Sequence, residues 1–271
     1  MLKLVVFDLD NTLLDARKRL DASVVEAIDR LKASGIKVGI ATGRTAGVAR
    51  PFIDRIRPDA PVAYNNGSLI EHQGEVVHES TIPPETLRKL IREAASAGLE
   101  VVVYRHSHLL GPPSERMQFF EDYSELLSRF PVRITVTEDL DTLSAEAAHK
   151  LLIEDPSGES PAFERLFHRG DVHVTRSQQF FIDVTPKSAH KGAAIQRIMK
   201  LVGVSPEETA AFGDNDNDAE MLAAVRFSFA MKNATIKAKQ AAVHVTALDA
   251  EHAGVADTLN HHDIFKVGEN G

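Results

Sequence analysis

The chain contains no cysteine. Disulfides, zinc–thiolate sites and cysteine nucleophiles are therefore excluded, and nothing argues for an oxidising compartment. It lacks any apolar run approaching membrane-spanning length. Its first residues enter a strand without a basic region ahead of a long apolar segment, so no signal peptide is expected. It also lacks an excess of positive charge. Lys and Arg number 31 against 39 Asp and Glu, a formal net charge of −8, which disfavours non-specific binding to nucleic acid or an anionic membrane. An anionic ligand needs a local positive site that overrides this field. No internal repeat or low-complexity tract stands out. The expectation left by these absences is a cytoplasmic globular protein, and 271 residues suffice for one large domain or two small ones.

What is present begins with Leu4 to Phe7, a short apolar run that reads as a buried strand. It meets carboxylates at Asp8 and Asp10. Two acids at i and i+2 beyond a buried strand are costly unless a cation or hydrogen bonds compensate them. Taken alone, Asp10-Asn11 also suits a polar turn. The sharper reading is a nucleophilic carboxylate and a second acid beside a magnesium ion.

The following pattern predicts a helix capped by Asp21 or Ser23, with Val24, Val25, Ile28 and Leu31 on one face and Gly35 as its stop. A strand at Ile36–Ala41 ends in Thr42-Gly43-Arg44, and a helix continues to about Ile56. Strand–helix alternation of this kind predicts a parallel sheet, whose ligands bind beyond the carboxyl ends of its strands. A third strand at Pro61–Tyr64 stops at Asn65-Asn66-Gly67, and a hairpin follows around Gln73-Gly74. Pro83-Pro84 marks a domain boundary. Beyond it the pattern predicts a helix over Glu85–Ala97, strands at Val101–Tyr104 and Lys150–Glu154, a loop at Gly111-Pro112-Pro113, helical spacing over Ser114–Phe130, a helix at Pro161–His168 and a hairpin turning at Arg176-Ser177-Gln178. From Ser188 the parallel pattern resumes. Lys191-Gly192 opens a helix that Gly203 ends. A strand at Thr209–Phe212 then runs into Gly213-Asp214-Asn215-Asp216-Asn217-Asp218, and short strands and helices complete the chain. The expected fold is α/β, a Rossmann-like doubly wound core of residues 1–82 and 187–271 carrying an inserted α/β domain over 83–186.

The second acidic loop has its own alternatives. It reads as a capping turn, with Asn215 or Asn217 capping the next helix. Asp214, Asp216 and Asp218 alternate as in a calcium loop, but Ala219 stands where such a loop needs glycine and Val225 where it needs glutamate. Both acidic clusters fall at strand ends of one sheet, where converging carboxylates repel without a cation. Magnesium fits, because it takes few carboxylates and leaves room for water and phosphate oxygens. Lys191 at a helix start runs against the dipole unless it points at an anion. Thr42 and Gly43 offer a hydroxyl and backbone N–H groups to an anion at a helix start.

The segments Asp8–Leu13, Ala41–Arg44, Lys191-Gly192 and Gly213–Met221, in this order, resemble the motifs of the haloacid dehalogenase-like hydrolases, most closely the Cof-type branch with a large (type IIB) α/β cap. The resemblance covers essentially the whole chain and places the cap at about Pro83 to Pro186. It implies phosphate-ester hydrolysis through an aspartyl-phosphate, with small phosphorylated metabolites such as sugar phosphates as partners. On that analogy Asp8 is the nucleophile and Asp10 the general acid and base. Magnesium is held by the Asp8 carboxylate, the Asp10 carbonyl and Asp214, with Asn217 and Asp218 orienting that shell. Thr42, Gly43 and Lys191 bind the phosphoryl group. Candidate substrate selectors are Arg44 and Asn66, and after them Arg105, His106, Arg176 and Gln178, each of which also reads as a solvated or structural residue. Asn11 replaces the commoner glycine, Asp216 adds an acid expected to face solvent, and His252 to Val255 lacks an acid often found there. A phosphomutase of the same superfamily, or a non-catalytic phosphometabolite-binding module, are the alternatives.

Overall fold

The computed structural model describes residues 1–106, 108–126, 132–158, 169–178 and 180–265. The first sheet has eight strands in the order β14-β13-β12-β1-β2-β3-β4-β5. These are β1 Leu4–Phe7, β2 Lys37–Ala41, β3 Val62–Tyr64, β4 Leu69–His72, β5 Glu75–Glu79, β12 Thr209–Gly213, β13 Phe227–Ala230 and β14 His244–Val245. From β14 to β3 every pair is parallel, and β4 and β5 close one edge as an antiparallel hairpin. β1 and β12 are buried at every position, as continuous apolar runs between helical layers require. Phe7, Phe212 and Phe229 stack across three neighbouring strands, with ring centroids 5.1 and 4.6 Å apart.

Helices cover this sheet for readable reasons. In Ala22–Ala33 the buried residues Val24, Ala27, Ile28 and Leu31 recur at helical spacing, and the Asp21 carboxylate caps the Ser23 N–H. Helices Ala46–Ile56, Lys191–Val202 and Gly254–His261 bury equivalent stripes. Helices Ala219–Ala223 and Ile236–Ala241 are shorter and complete the layers. No helix among the described residues is long and apolar enough to cross a membrane.

The second sheet has six strands in the order β10-β11-β9-β6-β7-β8. They are β6 Glu100–Arg105, β7 His108–Gly111, β8 Arg133–Val136, β9 Lys150–Glu154, β10 Val172–Gln178 and β11 Phe181–Pro186. Helices Pro84–Ser96, Glu115–Leu126 and Leu140–Leu143 accompany it. All its pairs are antiparallel except β7 with β8.

Three expectations are corrected. β7 and β8 have no counterpart in the sequence pattern, because each carries too few apolar residues to stand out and, among the described residues, β8 pairs with β7 alone. Gly111, expected in a loop, ends β7, where its missing side chain lets Met117 and the Val101 carbonyl come close. The hairpin does not turn at Arg176 to Gln178. β10 runs through those residues, with a bulge absorbing the irregularity. The helix expected at Pro161–His168, and the last residues of the Ser114–Phe130 segment, lie outside the described residues.

Candidate active site

Four loops meet at the carboxyl ends of the adjacent strands β12, β1, β2 and β3. Asp8 follows β1, Thr42 follows β2, Asn65 to Gly67 follow β3, and Asp214 follows β12. On either side of β1 the chain order runs in opposite directions, the place where parallel sheets open a crevice. The Asp8 N–H extends the ladder by donating to the Phe212 carbonyl at 3.0 Å, so the backbone of Asp8 is fixed by the sheet itself.

Lys191 is the first residue of its helix and is almost wholly buried. Its ammonium donates to Asp8 Oδ1 and to Asp218 Oδ1, both at 2.6 Å. The anion its placement called for is thus a pair of carboxylates. Asp218 closes its own loop. Its Oδ2 accepts from the N–H groups of Asp214 and Asn215 at 3.0 and 2.9 Å. This fold-back explains Gly213, where a Cβ would stand 2.6 Å from Asp218 Cβ. Asp214 receives the Thr12 hydroxyl at 3.5 Å.

Two carboxylates thus share one ammonium, and a third, Asp214, lies beside them. Burial pushes the Asp8 carboxyl up to about 7, with Lys191 opposing and Asp218 and Asp10 adding to the rise. Asp214 is raised well above the ordinary carboxylate value by burial, then by Asp8 and Asp218. Burial opposes the charge of Lys191, but Asp218 and Asp8 outweigh it and hold the ammonium above its usual range. The donor set asks for another cation. Carboxylate oxygens of Asp8, Asp214 and Asp218 all lie within 4.8 Å of one another. All are hard oxygen ligands, the chemistry of magnesium or calcium and not of a softer metal.

Asp10 lies apart from this trio. Arg44 grips it with both arms, Nε to Oδ2 and Nη2 to Oδ1, each at 2.7 Å, and Lys18 adds an ion pair at 2.8 Å. Burial alone would raise the Asp10 carboxyl, but the Arg44 hydrogen bonds and the charges of Arg44 and Lys18 hold it far below the usual range. Arg44, expected as a substrate selector, is a partner of Asp10 in this state. Thr42 is fully buried, and its hydroxyl accepts the Arg44 N–H at 3.1 Å. It does not start the helix as expected. That helix begins at Ala46, with Thr45 at its cap position.

Asn66 occupies left-handed backbone at φ +59°. Its amide donates to Asp183 Oδ2 at 2.9 Å, and its oxygen accepts from Asn217 at 3.1 Å. Asn217 therefore faces Asn66, at the junction of the two sheets. Asp183 lies 3.3 Å from Lys150 in an ion pair, while Lys150 directs its hydrogen bond to the Gly43 carbonyl at 2.8 Å. Both side chains belong to the second sheet and are buried there. Asn11 holds left-handed backbone at φ +55°, a conformation that asparagine tolerates better than most side chains. Asp216 does not face solvent freely. It is half-buried and accepts the Thr235 hydroxyl at 2.8 Å.

A cavity of about 430 Å³ opens between the sheets. Asp8, Asp10, Gly43, Arg44, Lys191, Asp214 and Asn217 line its floor, and Tyr104, Phe119, Phe120, Phe181, Arg116 and Lys150 its far side. Arg105 and His106 do not line it. They pair with Glu146 and Glu71. Arg176 pairs with Asp155 and borders a separate cavity beside His173. The Gln178 side chain lies outside the described residues. Lys18, Lys150, Asp183 and the aromatic group were not found by sequence reading, since no motif or spacing marks them. One signal was available, the lysine standing directly ahead of three apolar residues in the strand Lys150–Glu154.

This fold and this site define a known class. Residues 5–259 match the family of haloacid dehalogenase-like hydrolases. The chain belongs to that family. It is similar over 94% of its length, and 96% of the relative's, to a 5-amino-6-(5-phospho-D-ribitylamino)uracil phosphatase of Bacillus subtilis, at 27% identity. Among solved structures, a haloacid dehalogenase-like hydrolase from Bacteroides thetaiotaomicron superposes with a TM-score of 0.81 at 26% identity, over 96% of this chain and 99% of that one. A sugar phosphatase of HAD subclass IIB superposes with a TM-score of 0.79, also at 26% identity, over 96% and 98% of the two chains.

Proposed function

We propose that this hydrolase is a magnesium-dependent phosphatase of small phosphorylated metabolites, acting through an aspartyl-phosphate on Asp8. The observation that carries the reading is the Lys191 ammonium, held at 2.6 Å from both Asp8 and Asp218 at the floor of the cavity. Attack of one anion on another needs neutralisation in the transition state. A buried ammonium beside an acidic trio is arranged to provide it.

In the first step an Asp8 oxygen attacks phosphorus, and the bond to the leaving alcohol breaks. The alcohol oxygen takes a proton from Asp10. In the second step water attacks the aspartyl-phosphate, Asp10 takes the water's proton, and inorganic phosphate leaves. The structure holds Asp10 ionised through Arg44 and Lys18. That state suits the second step. The first requires Arg44 to release Asp10 when substrate enters. The Asp8 carboxylate, the Asp10 carbonyl and Asp214 would hold the magnesium ion, with Asp218 fixing the loop that carries Asp214. When bound, the ion supplies positive charge against the phosphoryl oxygens and the crowded acids. On this reading Thr42, Gly43 and Lys191 would receive the phosphoryl group.

Residues 83–186 form the inserted cap on this reading, and 1–82 with 187–271 the catalytic core. Closure excludes water and positions the leaving group. Relatives named for a phosphorylated ribitylaminouracil and for sugar phosphates support a metabolite-sized substrate.

The test is phosphate release from a panel of phosphometabolites, with magnesium and with chelator, for the parent and Asp8→Asn. Magnesium-dependent release by the parent, absent in the variant, is expected. Equal release by both would remove Asp8 as nucleophile, and no release from any compound by folded, magnesium-loaded protein would overturn the phosphatase reading.

A further inference from the structure

The loop after β2 is held carbonyl by carbonyl. The Asn66 N–H donates to the Thr42 carbonyl and the Asn65 N–H to the Arg44 carbonyl, both at 2.9 Å. Both donors belong to the neighbouring loop of the same sheet, which follows β3. The carbonyl between them, on Gly43, accepts instead from the Lys150 ammonium at 2.8 Å. Lys150 opens β9 of the second sheet and is buried.

A peptide unit is planar, so the direction of a carbonyl sets that of the N–H on its other side. By holding the Gly43 carbonyl, Lys150 therefore fixes the aim of the Arg44 N–H. That N–H meets the Thr42 hydroxyl at 3.1 Å, so the same plane also sets the hydroxyl assigned to the phosphoryl group. A plane that follows glycine is the one its own residue restrains least. Glycine is required there, since a Cβ on Gly43 would stand 3.2 Å from Asn66 Oδ1. The freest peptide of the loop is thus the one pinned from the second sheet.

Asp183 steadies the arrangement. It stands opposite Leu152 in the pairing of β11 with β9, which puts it diagonally across from Lys150 on one face. Its Oδ1 lies 3.3 Å from the Lys150 ammonium, and its Oδ2 accepts from the Asn66 side chain at 2.9 Å. The residue whose backbone holds the Thr42 carbonyl is itself held by the second sheet.

We infer that Lys150 is a positioning residue for the phosphoryl-binding loop and that Asp183 keeps it in place. The Gly43–Arg44 peptide takes its working orientation only while the second sheet is seated on the first. The inference rests on the phosphatase reading for the role of the loop. Lifting the second sheet then lowers the affinity of the loop for phosphate, and by linkage phosphate in the loop favours the seated state by the same factor.

The experiment compares the parent with Lys150→Met and Lys150→Arg. Amide hydrogen exchange at Arg44, Asn65 and Asn66 is expected to be about ten-fold faster in Lys150→Met. The β1 amides keep their parent rates, because the two sheets have separate apolar interiors. The calorimetric Kd for inorganic phosphate, with magnesium, is expected to rise by about ten-fold. With acetyl phosphate and para-nitrophenyl phosphate, kcat/KM falls by one common factor of about ten to a hundred. Their ratio stays unchanged, since the loop acts on the phosphoryl group and not on what leaves. Lys150→Arg keeps a charged donor and recovers part of each loss. Where the stranded Asp183 unfolds Lys150→Met, the double variant Lys150→Met, Asp183→Leu carries the same expectations. Parent-like exchange and phosphate affinity, or a loss confined to one of the two compounds, would overturn the inference while leaving the phosphatase reading intact. Should the parent hydrolyse neither compound, that reading fails, and exchange with phosphate affinity decides the coupling on its own.

Discussion

The Arg44 guanidinium and the Asp10 carboxylate face each other as parallel forks, joined by two hydrogen bonds of 2.7 Å. The pair keeps Asp10 ionised, so its folded-state pKa lies below the unfolded one. A depressed carboxyl contributes stability above the unfolded pKa, and that contribution is lost as pH falls through the folded value. Arg44→Gln is therefore expected to lower stability at neutral pH by about 1–3 kcal/mol. The gap to the parent should stay constant from about pH 8 to 5 and close only below about 4. Denaturant unfolding across that range checks it, and a gap that changes between pH 8 and 6 would assign the effect to another group.

Asp8 and Asp214 have the opposite sign. Their pKa values are raised in the folded protein. Between the unfolded value and about 7 for Asp8, the native state binds more protons, so this contribution to stability falls as pH rises through that window. Magnesium competes with those protons. The ion is expected to raise the melting temperature more at about pH 8 than at about pH 5.5. An equal shift at both would mean that these carboxylates do not hold it.

Lys191→Met removes the ammonium shared by Asp8 and Asp218, two buried carboxylates. Breaking a buried pair from one side costs about 3–5 kcal/mol. We expect that loss in metal-free denaturant unfolding, partly recovered by magnesium. A variant as stable as the parent would show that Lys191 is not the countercharge of the cluster.

Lys150 and Asp183 form an equally buried pair that also ties the second sheet to the Gly43 carbonyl and to Asn66. Lys150→Met leaves Asp183 stranded. The double variant Lys150→Met, Asp183→Leu is expected to be more stable than Lys150→Met alone, because neighbours in one network do not add. Additive losses in a double-mutant cycle would show the two side chains to be energetically independent.

The first sheet was largely legible, because buried parallel strands leave uninterrupted apolar runs and their helices leave stripes. The acidic floor was legible for another reason. Asp8, Thr42, Lys191 and Asp214 are distant in the chain, but each follows a recognisable strand or opens a recognisable helix. The far side of the cavity was not. Tyr104, Lys150 and Phe181 sit on strands whose alternation reports which residues are buried, not which of them face a cavity. Phe119 and Phe120 fall in a helix whose outward and inward faces are both apolar in part. The partnership of Arg44 with Asp10 was hidden as well, since a side chain beside a phosphate-binding loop reads as a ligand contact until its geometry is seen.

The apolar interiors of the two sheets are separate. One is assembled from residues between Leu2 and Ile70 and between Ala194 and Phe265. The others draw only on residues between Ile82 and Val184. Repacking therefore does not propagate by apolar contact from the aromatic wall to the interior beneath Asp8 and Asp214. Substitutions in that wall can accumulate while the packing beneath Asp8 and Asp214 keeps its shape, so the apolar packing of the two halves of the cavity is free to vary independently.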